Sequence, residues 1–297
     1  MTPSPRSHDE STQPPRSPWP PGGAHPDRTA HMMDRSTGRL TSRPGPGCRA
    51  TPPALVLVGH GSRDPRALST VRALAERVRE LRPGLPVHLG HIELNAPLLP
   101  DTLAGLGTAE AVLVPLLLSR GYHVKHDIPE MAAAATARTR VAAPLGPHPL
   151  LVDTLHARLV EAGWQTRMTD EQRRSSAVVL AAAGSRDPDS DLDTRHTARL
   201  LADRLGVPVV PAYATTAAPT VPEAVRALTA SGRHRIAVAS YFTAPGRFAT
   251  ECAKAAPWIA TAPLGAHRSM AHLILHRYDQ SAALPETPVT RELAPAF

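Results

Sequence analysis

The chain has 297 residues, 42% of them hydrophobic and only 3% aromatic, enough for one large domain or two ordinary ones with a core of Leu, Val, Ala and Ile. The formal net charge is +7, of which seven Arg against four Asp or Glu put +3 in the first 50 residues; no Lys/Arg run has the length of a nucleic-acid arm, so nucleic acid is not expected as a partner. Cys48 and Cys252 form no C-x-x-C pair, no apolar run reaches the ~18 residues of a membrane span and no apolar h-region opens the chain, so the expectation is a cytoplasmic protein with no zinc ribbon, no iron–sulfur motif and no membrane partner.

Residues 1–53 are rich in Pro, Ser, Thr, Arg and Gly, without hydrophobic period, and are expected to be disordered because they bury too little to offset their ordering entropy. The apolar run Ala54–Val58, ending at Gly59, predicts a buried parallel strand, and Pro65 opens a helix to about Leu81. A strand over Pro86–Ile92, a helix over Pro97–Leu106, a strand over Ala111–Leu118, a helix over Ile128–Arg138, a short strand at Val141–Ala143 and a closing helix over Pro149–Ala162 follow. Strands alternating with helices predict an α/β fold with a parallel sheet covered on both faces.

The pattern then repeats. Gly-Ser-Arg-Asp-Pro occurs at 61–65 and again at 184–188, and Pro-Leu-Gly-x-His at 144–148 and again at 263–267. Two matches in the same order indicate a tandem duplication. The expected domains are 54–165 and 176–280, joined by a polar linker at 166–175 and followed by a loose tail at 281–297.

Ligands of open parallel sheets bind beyond the carboxyl ends of the strands. There the first repeat places Gly59, His60, Gly61, Ser62 and Arg63 after strand one, His91 and Glu93 after strand two, and Tyr122, His123, Lys125, His126 and Asp127 after strand three. His60, His123 and Glu93 thus come to one rim from three strands, and imidazole and carboxylate suit both divalent transition metals and proton transfer near neutral pH. The structural alternatives stay open: His60 as a turn residue, Glu93 as a loop carboxylate, His123 and His126 as one exposed helix face. For His88, His91, His148 and His267 a structural role is expected. Asp64 stands where a dinucleotide fingerprint needs its third Gly, and neither a phosphate-binding Gly-x-x-x-x-Gly-Lys loop nor a Gly-x-Ser-x-Gly elbow exists.

Val-Gly-His-Gly-Ser-Arg-Asp-Pro (58–65), Ile-Glu-Leu (92–94) and Pro-Leu-Leu-Leu-Ser-Arg-Gly-Tyr-His-Val-Lys-His-Asp-Ile-Pro (115–129) resemble the sirohydrochlorin chelatases of the cobalto- and ferrochelatase (class II) superfamily. The resemblance covers roughly residues 54–280. It implies two chelatase-like, flavodoxin-like domains facing across a cleft, and insertion of Fe2+ or Co2+ into sirohydrochlorin, with the metal as substrate and no ATP or organic cofactor. His60 and His123 would bind metal, Glu93 would assist, and Ser62, Arg63, Arg120 and Lys125 would hold the substrate. Nickel insertion into the same ring, or a non-catalytic metal or tetrapyrrole carrier, are the competing readings. A fused two-repeat chain is expected to act as a monomer. Ala183, Phe248 and Thr216 stand where the second repeat would carry His60, His123 and Glu93, so that half is expected to be scaffold and cleft wall.

Overall fold

The computed structural model describes residues 52–283; the expectations for the N-terminal segment up to residue 51 and for the tail beyond residue 283 lie outside the described residues. In the first half, β1 (Ala54–Gly59), β2 (Val87–His91), β3 (Glu110–Pro115) and β4 (Arg138–Val141) form a parallel sheet in the order β2-β1-β3-β4. In the second, β5 (Ser176–Ala182), β6 (Val209–Tyr213), β7 (Arg235–Ser240) and β8 (Ile259–Ala260) repeat it as β6-β5-β7-β8. Every residue of the central strands β1 and β5 is buried, which is why both read as unbroken apolar runs rather than alternating ones.

The outer face of each sheet is covered by its own helices. Leu99 and Leu103 of α2 (Leu99–Gly105) and Ile128 of α3 (Ile128–Ala133) pack on Val56, Val58 and Leu113. Val221, Ala224 and Leu228 of α7 (Val221–Ala230) and Cys252 of α8 (Arg247–Lys254) pack on Val179 and Val238. Between the sheets stand α1 (Pro65–Leu81), α4 (Pro149–Glu161), α6 (Pro188–Leu205) and α9 (Arg268–Ala282), and their apolar side chains join both halves into one core.

The two closing helices are exchanged. Helix α4 ends the first half yet packs on α6 and β7 of the second; α9 ends the second half yet packs on α1, β3 and β4 of the first, and the two helices also pack on each other. Each is tied across the halves by an arginine. Arg158 of α4 donates from Nε and Nη2 to the Leu264 carbonyl at 3.2 and 2.9 Å, and Arg277 of α9 donates from Nη2 to the Leu145 carbonyl at 3.4 Å. Leu145 and Leu264 are the matched leucines of the repeated Pro-Leu-Gly-x-His segments, whose histidines cap α4 and α9: Nδ1 of His148 accepts from the Leu150 N–H and Nδ1 of His267 from the Ser269 N–H, both at 3.2 Å. The structural role expected for these two histidines is their observed role.

Several boundaries differ from expectation. The helix expected over Ile128–Arg138 stops at Ala133, and Arg138 opens β4, whose edge position pairs it to β3 alone. The stretch 166–175 contains α5 (Asp170–Ser175), started by a capping box between Thr169 and Gln172. Helix α9 continues past residue 280 to Ala282. No helix among the described residues is long and apolar enough to cross a membrane.

Burial has a consequence for pH. His88, His91, His148, His156 and His267 are all held below the ordinary imidazole pKa, in each case chiefly because burial disfavours the charged ring. The unfolded chain therefore takes up protons first, so the stability these groups contribute is complete above a pH of about 6.5 and is lost as pH falls toward their folded values. The melting temperature should begin to fall near pH 6.5, well before exposed carboxylates titrate near about 4. A melting temperature unchanged between pH 7.5 and 5.5, followed by circular dichroism, would contradict this.

Candidate functional site

The repeated Gly-Ser-Arg-Asp-Pro segments are mostly helix-start chemistry. Asp64 and Asp187 accept from the N–H groups of Arg66 and Asp189 at 2.9 and 3.0 Å, with Pro65 and Pro188 in the first turn of α1 and α6. Ser62 and Ser185 accept from the N–H groups of these same aspartates at 3.1 Å, and the Ser62 N–H donates to Asn95 Oδ1 at 2.7 Å. Ser62, expected to hold substrate, is thus already engaged in shaping its loop. Gly61 has φ +104°, and a Cβ there would lie 1.9 Å from the Glu93 carbonyl oxygen. Only glycine lets the loop after β1 approach the loop after β2 so closely, and that approach brings His60 to Glu93.

His60 Nδ1 lies 3.5 Å from Glu93 Oε1. The His60 and His123 rings meet edge to face, with centroids 4.6 Å apart and planes at 90°. His123 opens a π-helical turn, His123–Asp127, in which the Ile128 N–H reaches back to the His123 carbonyl. The turn sets His123 and Asp127 on one face, and His123 Nδ1 is hydrogen-bonded to the Asp127 carboxylate. Both histidines thus turn Nδ1 toward a carboxylate; at His123 the hydrogen bond to Asp127 favours the tautomer that carries its proton on Nδ1 and leaves the Nε2 lone pair for a metal or a proton. Neither Nε2 has a hydrogen-bond partner among the described residues. The side chains of His60, Glu93 and His123 are 42%, 52% and 37% exposed, so the pair is open to a large ligand.

The three expected site residues therefore come together. Asp127 was not assigned a role from sequence; the His-x-x-x-Asp spacing on a helical turn was the signal that could have found it. His126 stacks on exposed Tyr122, with ring centroids 4.7 Å apart. His91, as expected, is structural: it is buried beneath Gly59, with Nδ1 3.2 Å from the Pro97 carbonyl. Among the described residues no group of three or more His, Cys, Asp or Glu is arranged to hold a metal ion, so His60, His123 and Glu93 do not form a closed cage.

Two expected substrate-binding cations are engaged elsewhere. Arg120 forms a forked pair with buried Asp193, with Nη2 to Oδ1 at 2.7 Å, and its own N–H donates to the same carboxylate at 2.9 Å. Lys125 Nζ lies 2.8 Å from carboxylate oxygens of both Asp187 and Asp189. These contacts, with Ser119 Oγ 2.8 Å from Ser190 Oγ, dock the loop carrying His123 onto the start of α6. Arg120 and Lys125 are therefore the seam between the halves. Arg63 is exposed and has no ion pair or hydrogen bond among the described residues.

The second half lacks the whole constellation. Ala183 follows β5 where His60 follows β1, and Phe248 sits where His123 does, two residues beyond matched glycines Gly121 and Gly246. The counterpart of Glu93 is Thr215, not Thr216: Glu93 N–H donates to the His60 carbonyl and Thr215 N–H to the Ala183 carbonyl, each at 3.0 Å. Thr216 instead matches Leu94, the other non-glycine residue with positive φ among the described residues. The shift by one arises because β1 to β2 is one residue longer in the first half.

The CbiX family model matches residues 54–162 and 177–281, once for each half. The chain belongs to the CbiX family. Among its relatives, the sirohydrochlorin cobaltochelatase of Methanococcus aeolicus is 38% identical over 81 residues, 26% of this chain and 57% of that protein. The sirohydrochlorin ferrochelatase of Bacillus subtilis is 29% identical over 180 residues, 57% of this chain and 66% of that protein. The matched regions thus span less than two thirds of these relatives' lengths. SirB from Bacillus subtilis, solved with Fe3+, shares the fold with a TM-score of 0.63 at 24% identity, over 78% of this chain and 96% of that one.

Proposed function

We propose that this CbiX-family chain is a sirohydrochlorin chelatase, a lyase that inserts Fe2+ or Co2+ into sirohydrochlorin without ATP or an organic cofactor. The observation that carries the reading is the edge-to-face pair His60–His123, each ring backed at Nδ1 by a carboxylate, on an open rim. The names of the Methanococcus and Bacillus relatives support the same substrate.

Insertion replaces two ring N–H protons by one divalent metal, so a chelatase must displace water from the metal and take up two protons. The Nε2 atoms of His60 and His123 are the ligands that displace water, and neutral imidazole is also the base suited to the protons near neutral pH. Glu93 and Asp127, set against Nδ1 of the two rings, hold them in place with Nε2 outward. Two imidazoles make an incomplete set, which suits an ion that must be handed on rather than kept.

The test is one assay of the purified chain with sirohydrochlorin and each of Fe2+, Co2+ and Ni2+, following the absorbance change and subtracting the spontaneous rate. Enzyme-dependent insertion of Fe2+ or Co2+ is expected. Insertion of nickel alone would move the chain to a nickel chelatase; insertion of none would make it a carrier or a scaffold.

A further inference from the structure

The half without the histidines carries uncommitted arginines. Arg186 occupies in Gly-Ser-Arg-Asp-Pro of the second repeat the place Arg63 has in the first. Both are exposed, and neither makes a hydrogen bond or ion pair with a described residue. Arg247 stands at the position of Tyr122, also exposed, with its guanidinium carbon 4.8 Å from the centroid of the Phe248 ring. Neighbouring cations are already paired: Arg66 with Asp64, Arg120 with Asp193, Lys125 with Asp187 and Asp189.

These side chains belong to the same rim as the histidines. A Cβ on Gly121, two residues before His123, would lie 3.7 Å from Ser185 Oγ, beside Arg186. A Cβ on Gly246, beside Arg247, would lie 4.0 Å from Ser62 Oγ, two residues after His60. The loops therefore meet in two crossed pairs, each joining a histidine loop to an arginine loop. Ala183, exposed where an imidazole would stand, leaves room along this edge.

We infer that the second half takes part in holding the substrate. Arg186 and Arg247 pair with peripheral carboxylates of the tetrapyrrole and Phe248 packs against the face of the macrocycle, while the first half presents His60 and His123 to the ring nitrogens. A planar guanidinium matches a carboxylate in a forked geometry, and an aromatic ring beside it offers a flat apolar contact. The inference rests on sirohydrochlorin being the ring that is bound, and gives the degenerate repeat a function beyond scaffold.

The experiment is equilibrium binding of metal-free sirohydrochlorin to the full chain, at low and high salt, beside the insertion kinetics. Arg186→Ala and Arg247→Ala should each weaken ring binding by about 10-fold or more, as expected for losing a charge-assisted contact, with the difference shrinking at high salt. The defect should appear in KM for the ring and not in KM for the metal. Arg186→Lys, which keeps the charge but not the fork, should recover part of the loss. Arg174→Ala, which removes an exposed charge at the opposite end of the second sheet, should bind normally. A fully methyl-esterified ring should bind wild type and both alanine variants alike. Ring affinities of Arg186→Ala and Arg247→Ala within about twofold of wild type would overturn the inference. A wild-type chain that binds the ring but metallates it with no metal would sink the chelatase reading alone, since the clamp is read from binding; a chain that does not bind the ring would sink both.

Discussion

Replacing His123 with Ala should lower the enzyme-dependent rate of Fe2+ or Co2+ insertion by about 10²-fold or more, the low end for losing a positioned acid–base group. His60→Ala should do the same, because the two rings lie edge to face and neither has a counterpart at Ala183 or Phe248 to take its place. Asp127→Asn should cost less, about 10-fold, since it leaves Nε2 in place and weakens only the support behind it. The fold should survive all three changes, because these side chains lie on the rim and outside the cores. His148→Ala is the contrast: it removes a helix cap, at about 1 kcal/mol of stability, and should leave turnover nearly unchanged. Stopped-flow absorbance with the spontaneous rate subtracted, paired with thermal melts, separates these outcomes. Near-full rates in both histidine variants, with intact melts, would place the site elsewhere.

The second large effect concerns the exchanged helices. A fragment of residues 52–165 should form no stable monomer, although it contains a complete four-stranded sheet. It lacks α9, whose Met270, Leu273, Ile274 and Tyr278 are buried in the shared core. Uncovering four such side chains removes on the order of 6–12 kcal/mol, at about 1.5–3 kcal/mol each. A whole domain is stable by only about 5–15 kcal/mol. The fragment would also carry α4 without the α6 and β7 surface on which it packs. Because α4 and α9 hold matched positions in the repeat, any folded form of 52–165 should be a dimer in which each copy lends α4 to the other. Sedimentation and thermal melting of 52–165, alone and mixed with 166–283, check this: cooperative melting should appear on mixing or on dimerisation. A monomeric 52–165 that melts cooperatively near the temperature of the whole chain would show that the exchange is not needed for folding.

Much of this was legible in the sequence because it is local. Unbroken apolar runs at 54–58 and 177–182 mark central parallel strands, as both faces of each are buried. Asp-Pro at 64–65 and 187–188 marks two helix starts because cap and first turn are set within four residues. The repeat announced two like halves, and the rule that ligands lie beyond strand ends brought His60, Glu93 and His123 to one rim. What the tertiary structure alone decided is which surfaces meet. The apolar faces of α4 and α9 do not name the sheet they cover, and only the packed molecule shows that each crosses to the other half. Arg120 and Lys125 look like free cations until α6 brings Asp187, Asp189 and Asp193 against them. The one-residue offset that pairs Glu93 with Thr215 emerges only from the hydrogen bonds to His60 and Ala183. A side chain's own chemistry is written in the sequence, but the partner that satisfies it is chosen by contacts between segments 62 to 106 residues apart, which no local pattern encodes.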